Sequence, residues 1–313
     1  MKEFYSDNIN PGEVLNAILL RKKSIFFIVL TFTLLGLIYS MSLEDRYTSS
    51  SILQGTSSTG TQSSVLQQFS GLASIAGVNL GSGSSSIDPV ITAIEKIKSR
   101  DFLKHLLSFD GVKENLGAVV GYDHSSKQIL YNLDEFNPNT KKWIRKISSK
   151  YQLSEPSHLE LFDDYLSTIK IGRDSETSLI NISVEHFSPI FAHEFLSLII
   201  NEINEITRLQ DLQNAERSIK YLESKLSQTE LREIKVTLNQ LITEELRKLM
   251  LTNVSSSYIL EAIDSPFIPE KKSSPNRLLI LISFIIMGLF TSILYSLIKG
   301  LTDKDISLMK SHQ

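Results

Sequence analysis

The stretch Ile263–Ile298 decides the reading of this chain: IDSPFIPEKKSSPNR, then LLILISFIIMGLFTSILYSLI. Its second half, Leu278–Ile298, holds no charged residue. About 20 apolar residues, each rising about 1.5 Å, cross about 30 Å of hydrocarbon. In lipid such a run satisfies its backbone only as a helix. The first half is stiff, because Pro266, Pro269 and Pro275 each fix φ and lack a backbone donor. A non-helical strap therefore leads into a membrane anchor, and whatever lies upstream is carried back to a bilayer here.

Working outward, a second uncharged run, Ser24–Leu43 (SIFFIVLTFTLLGLIYSMSL), stands near the other end. It is too long for the apolar core of a signal peptide, and Glu44, Asp45 and Arg46 follow it where a small-residue cleavage motif would stand. Arg21, Lys22 and Lys23 precede it, which places the head, residues 1–23, in the cytoplasm by the positive-inside rule. Lys271, Lys272 and Arg277 oppose this at the second anchor, but long segments cross largely regardless of charge. The expectation is a two-pass protein of a bacterial inner membrane, spanning at 24–43 and 278–298. Both termini, including the tail 299–313, are then cytoplasmic and the middle is periplasmic. In the head, Glu13–Leu20 is expected to form amphipathic turns, with Asn10 as N-cap and Pro11 at the first helical position.

The middle is polar and changes its period along the way. Asp45–Gln54 is β-prone. Gly55–Ser86 is rich in Ser, Gly and Thr, but holds an apolar island, Val65–Leu80, which calls for cover by its own domain, a subunit or a membrane surface. Asp88-Pro89 opens a helix with Ile91, Ile94 and Ile97 at helical spacing, and Ser99 caps a short helix running to Leu107. Helical segments are expected over Asn137–Lys150 and Pro156–Tyr165. Ser167–Ile171 and Leu179–Glu185 alternate and predict an antiparallel hairpin turning at Gly172-Arg173-Asp174.

Ser188-Pro189 then starts a helix expected to run to about Gln228, with apolar residues at Phe195, Ile199, Ile203, Ile206, Leu209, Ala215, Ile219, Leu222 and Leu226. Such a helix is about 60 Å long, too long for a compact domain to bury. Part of it must project or pack on partners. Glu230–Thr252 predicts a second helix, making a hairpin whose tip lies near Ser227–Thr229. Ser257–Ala262 is β-prone and returns the chain to the sheet before the strap. The fold class read from this is α+β: anchored in the membrane at both ends, with an α/β base over 44–187, a long projecting helical hairpin over 188–256, and a return strand and strap over 257–277. Ile199, Ile206 and Leu222 are assigned to helix packing, and Pro266, Pro269 and Pro275 to the strap angle at the second anchor.

Composition excludes several chemistries. A net charge of −3 over 313 residues carries no nucleic-acid footprint. The absence of cysteine rules out disulfides, thiolate zinc sites and a cysteine nucleophile. No phosphate-binding Gly-rich loop, no Gly-x-Ser-x-Gly elbow and no His-Glu-x-x-His motif occurs. His186 and His193 are not at ligand spacing, and the carboxylates lie mostly on solvated helix faces. No catalytic, cofactor-binding or metal-binding residue is expected. Asn181-Ile182-Ser183 and Asn253-Val254-Ser255 match the glycosylation pattern by chance. Gly288 with Ser292 forms a small-xxx-small pair in the second anchor.

Taken in order, several stretches resemble the bacterial chain-length determinant family, the polysaccharide co-polymerases. They are the basic-flanked first anchor, Asp88-Pro89 leading into Ser99-Arg100-Asp101-Phe102-Leu103, and Ile182-Ser183-Val184-Glu185-His186 leading through Ser188-Pro189 into the long helix. Met250-Leu251-Thr252-Asn253, Ile263-Asp264 and the Pro266-x-x-Pro269-Glu270…Pro275-x-Arg277 strap complete the set. The second anchor departs from the family's glycine-rich pattern and keeps only Gly288. Leu301–Gln313 leaves no room for the kinase domain of the larger relatives, so the resemblance is to the short form. The resemblance implies a non-enzymatic protein without cofactors that assembles as a homo-oligomeric ring. It implies a scaffold for a separate inner-membrane polymerase that sets the chain length of O-antigen or a related lipopolysaccharide glycan. Whether the growing glycan is itself a partner is left open. A periplasmic adaptor of a capsule-export or efflux transporter is the alternative, since adaptors also have two anchors and periplasmic helices. A two-anchor sensor needs a larger output module than the tail supplies.

Overall fold

The computed structural model describes residues 22–56, 88–147, 153–254 and 257–310. The amphipathic turns expected over Glu13–Leu20, the apolar island Val65–Leu80 and the end of the segment Asn137–Lys150 lie outside the described residues. The chain divides into two compact units. One is Met1–Asp45 with Ser273–Gln313, and the other is Arg46–Lys272.

Among the described residues the first unit contains two helices, α1 (Lys22–Ser42) and, at the other end of the sequence, a helix spanning Arg277–Lys310. Lys22–Ser42 and Arg277–Ser296 are each long and apolar enough to cross a membrane. The two helices pack on one another through small residues. A Cβ built at Gly36 would lie 2.7 Å from the Cβ of Phe284, and one at Gly288 would lie 3.0 Å from that of Phe32. Ser40, Ser292 and Ser296 are buried along the same pair. With Gly36 opposite Phe284 and Gly288 opposite Phe32, the helices run antiparallel. Arg277 donates to Asp45 at 2.8 Å where the first helix has ended and the second begins. The chain between them therefore leaves and re-enters at one end of the pair. Hydroxyls of Thr31, Thr33, Ser283 and Ser292 donate to carbonyls of their own helices, which satisfies them without water.

The second unit is built on a four-stranded antiparallel sheet of β1 (Tyr47–Gly55), β6 (Ile169–Arg173), β7 (Ile180–His186) and β8 (Leu260–Asp264), in the order β6-β7-β1-β8. β7 alternates as expected, burying Ile180, Ile182 and Val184 completely. β1 pairs with β7 in the register Ser51↔Ile182, so Tyr47, Ser49, Ser51 and Leu53 share the buried face. The β6–β7 turn sits later than Gly172. Asp174 closes it by accepting from the backbone of Glu176 and Thr177, so β6 continues through Arg173. Against this sheet pack α2 (Pro89–Ile97), α3 (Arg100–Leu106), α5 (Phe162–Thr168) and the long α6 (Pro189–Gln228). Asp88, Ser99 and Ser188 all serve as N-caps, each accepting from a backbone N–H two or three residues on.

Several local readings are corrected. The helix expected over Asn137–Lys150 is a short hairpin, β4 (Phe136–Asn137) with β5 (Lys142–Trp143). Asn137 accepts from the backbone of Asn139 and Thr140, with Pro138 between, and Lys141 adopts φ 49. An Asn-Pro turn thus stands where a helix was expected. The segment from Pro156 is a turn, and α5 begins only at Phe162. The return strand starts at Leu260, later than Ser257. Ile91 is exposed although Ile94 and Ile97 are buried. Residues 108–136, for which no structure was expected, form α4 (Val112–Gly117) and the hairpin β2 (Val119–Asp123)–β3 (Gln128–Tyr131). The final helix, α8 (Arg277–Lys310), runs beyond the apolar span expected to end at Ile298. The long-helix reading holds, with Ser188 as N-cap and Gln228 as last residue. It is followed by α7 (Arg232–Val254).

Candidate assembly surface and the clamp on the returning chain

The 40 residues of α6 divide into two stretches with different surroundings. In the first, Phe191, Phe195, Ile199 and Ile203 lie on the sheet, with Ile199 and Ile203 wholly buried. In the second, Ala215 is the last buried residue. Beyond it α6 is packed by α7, which returns along it. Of the residues assigned to helix packing, Ile199 is in the core, Ile206 packs partly against it, and Leu222 is half-buried beyond it. The hairpin presents apolar side chains to solvent: Tyr221, Leu231, Ile234, Val236 and Met250 are between 44% and 65% exposed.

Polar side chains tie α6 to its neighbours. Glu202 meets the His105 ring of α3 at 2.6 Å, Lys96 of α2 donates to Gln210 at 2.7 Å, and Tyr258 donates to Asp211 at 2.8 Å. Burial, with Asp211 beside it, raises the pKa of the Tyr258 phenol, so the group stays a donor.

Asn204, only 5% exposed, makes the most demanding contact. Its amide Nδ2 donates to the carbonyls of Ile200 and Leu260, both at 2.9 Å. Its Oδ1 accepts from the N–H groups of Ile259 at 2.8 Å and Leu260 at 2.9 Å. All four capacities of the side chain are used. One polar residue on the apolar face of α6 thus holds the chain at the point where it returns to the sheet. Sequence reading missed it. The signal available was an Asn at helical spacing among Ile199, Ile200 and Ile203, a position where an unpaired amide is costly.

The strap is held in a matching way. Pro266 and Pro269 cannot donate to a ladder. Instead Ser51 donates to the carbonyl of Asp264 at 2.6 Å and Ser49 to that of Phe267 at 2.7 Å. Both serines are buried, at 1% and 0% exposure, on strand positions where alternation alone would place apolar residues. Thr56 adds hydrogen bonds to Tyr258 and Ile259. Within its unit Pro269 is buried and Pro266 half-buried. Pro275, in the other unit, is half-buried. Ile263, Phe267 and Ile268 are exposed between them.

His186 sits where β7 hands over to α6. Its Nδ1 accepts from the N–H of Ser188 at 3.1 Å, so Nε2 carries the proton and donates to the carbonyl of Asn115 at 2.9 Å. Burial first, and the charge of Arg46 second, push its pKa down to about 4, so the ring is neutral. Among the described residues no group of three His, Asp or Glu side chains is placed to hold a metal.

One unit carries two membrane-length helices, and the other is an α+β unit with a long helical hairpin. Residues 7–108 match the family described as Wzz, chain length determinant protein. The match covers the N-terminal third of the chain, and the family is the one that the chain's residues resemble. A solved full-length bacterial polysaccharide co-polymerase is 11% identical, with 93% of this chain and 97% of that chain covered and a TM-score of 0.37. A fragment of WzzB, a polysaccharide co-polymerase from Salmonella Typhimurium, is also 11% identical, with 74% of this chain and 100% of that chain covered and a TM-score of 0.34. No curated protein matches the chain.

Proposed function

We propose that this protein regulates the chain length of a surface polysaccharide, O-antigen or a related lipopolysaccharide glycan. It does so as a non-catalytic scaffold in the bacterial inner membrane. The observation that carries the reading is the family match over residues 7–108. In this reading the ends, 1–23 and 299–313, are cytoplasmic and the middle is periplasmic. Residues 44–187 form the base, 188–256 the projecting hairpin, and 257–277 the return to the membrane. Copies of the chain assemble into a ring beside a separate polymerase.

The exposed apolar side chains of the α6–α7 hairpin supply a surface for such assembly, because helices in proteins are stabilised mostly by packing of their apolar faces. Ile199, Ile206 and Leu222 pack the helix. Pro266, Pro269 and Pro275 set the angle at which the chain meets the second anchor. Ring geometry then sets when polymerase and glycan part. An adaptor of an export or efflux transporter would share the two anchors but not the family match.

Deleting the gene and resolving the surface glycan on a gel tests the reading. Loss of a modal length with the glycan still displayed is expected, and loss of display with modality intact in the residual glycan overturns it. Shortening α6 and α7 by matched whole turns is expected to shift the mode.

A further inference from the structure

A small cavity lies between α4, β3 and the β4–β5 turn, with a volume of about 160 Å3. Its floor is aromatic, made by the buried Phe136 and the half-buried Tyr131, whose rings are 5.2 Å apart. Its polar groups are of three kinds. Glu114 is half-buried and, among the described residues, forms no hydrogen bond or ion pair through its carboxylate. Asp110 and Lys141 face each other across the rim at 3.1 Å, both largely exposed. The Tyr131 hydroxyl donates to Asn115 at 2.8 Å and keeps a free acceptor lone pair. Gly111, at φ +81, turns the chain at the cavity wall, where a side chain would be strained.

The volume suits one pyranose ring and is well below the several hundred Å3 of drug-sized sites. An aromatic floor takes the apolar C–H face of such a ring. Carboxylates accept from its hydroxyls in charge-assisted hydrogen bonds, and an ammonium donates to them. The two carboxylates outnumber the one lysine, which disfavours a sugar that is itself an anion. We propose that this cavity is a subsite for one neutral or amino hexose unit of a glycan, with Glu114 as the principal acceptor and Tyr131 and Phe136 as the platform. The proposal rests on the polysaccharide reading above and deepens it. It gives the base a place to hold the chain whose length is set. Burial, with Glu114 beside it, raises the pKa of the Tyr131 phenol, so the platform carries no charge of its own at neutral pH.

The only tryptophan of the chain is a built-in reporter, since the Trp143 ring packs against Phe136 in a tilted pair with centroids 5.3 Å apart. The full chain in nanodiscs is titrated with galactose, glucosamine and glucuronate up to about 100 mM while Trp143 emission is followed. Saturable changes at millimolar galactose or glucosamine are expected, at least about fivefold weaker for glucuronate. Glu114→Gln and Tyr131→Phe are each expected to weaken the response at least about fivefold at unchanged melting temperature. No saturable response to galactose or glucosamine, equal response to glucuronate, or an unchanged response in Glu114→Gln overturns the proposal. The glycan profile separates its failure from that of the function. If deletion abolishes the modal length and Glu114→Gln binds sugar normally, the site falls and the function stands. If sugar binds as expected and deletion leaves glycan length untouched, the site stands and the function falls.

Discussion

Replacing Asn204 by Leu tests how the long helix and the returning chain are joined. The substitution keeps the bulk of the side chain and removes all its polar capacity. Three hydrogen bonds to Ile259 and Leu260 are lost at once, leaving two buried N–H groups and one carbonyl without these partners. An orphaned buried group costs about 1–3 kcal/mol, and the added apolar contact of the leucine offsets part of that. The net loss is expected to be about 3–5 kcal/mol, against a total stability of order 5–15 kcal/mol for a domain. For a domain of 150–250 residues, each kcal/mol moves the midpoint by about 2–4 °C, so melting should fall by roughly 6–20 °C. Asn204→Asp, which keeps the acceptor but cannot donate to Leu260, should lose stability as well, because it buries a charge. The measurement is denaturation of the full chain in nanodiscs, with hydrogen exchange followed on the 257–264 peptide. Exchange there should accelerate more than in β7. A loss below about 1 kcal/mol with unchanged exchange would refute the clamp. It would mean that pairing with β1 and the Tyr258–Asp211 bond hold the strand without Asn204.

Other perturbations give further expected outcomes. His186 binds a proton near pH 6.5 when unfolded and near pH 4 when folded, so the unfolded state binds more protons between those values. Its contribution to stability is full above about pH 7 and is lost as pH falls through that window, by roughly 1 kcal/mol per unit and about 3 kcal/mol in all. Denaturation midpoints taken from pH 8 to 4 should therefore fall more steeply for the native chain than for His186→Gln, and parallel curves would contradict this. Ser49→Ala with Ser51→Ala should leave the sheet folded but speed proteolysis and exchange over 264–270, as two strap carbonyls lose their donors. Pro266→Ala with Pro269→Ala should change the glycan length distribution while leaving the protein in the membrane fraction; a normal distribution would remove the strap from the mechanism. Because the chain has no cysteine, Phe32→Cys with Gly288→Cys should form an intramolecular disulfide on mild oxidation, read as loss of alkylation at unchanged monomer mass. Adding Gly36→Leu should suppress it by wedging Phe284 away.

What could be read from the residues alone was whatever one local rule controls. Two uncharged runs of membrane length, a capped Ser188-Pro189 start with some forty residues free of Gly and Pro, and the strict alternation of Ile180, Ile182 and Val184 each speak through spacing within one segment. The family resemblance was legible for the same reason, as short motifs in a fixed order. Where two local rules compete, the reading failed. A helix was expected through Trp143, and the Asn137-Pro138 turn made a hairpin. Only the folded chain decided which polar residues are buried. Ser49, Ser51 and Asn204 look like surface residues in the sequence, and each is interior because a distant backbone segment, some 55 to 218 positions away, presents groups that need partners. The sugar-sized cavity is of the same kind, since Glu114 and Phe136 meet only after a hairpin and a short helix have folded across each other. Local pattern determines what an element is. Which groups are left facing one another depends on long-range closure, and no spacing in the sequence records it.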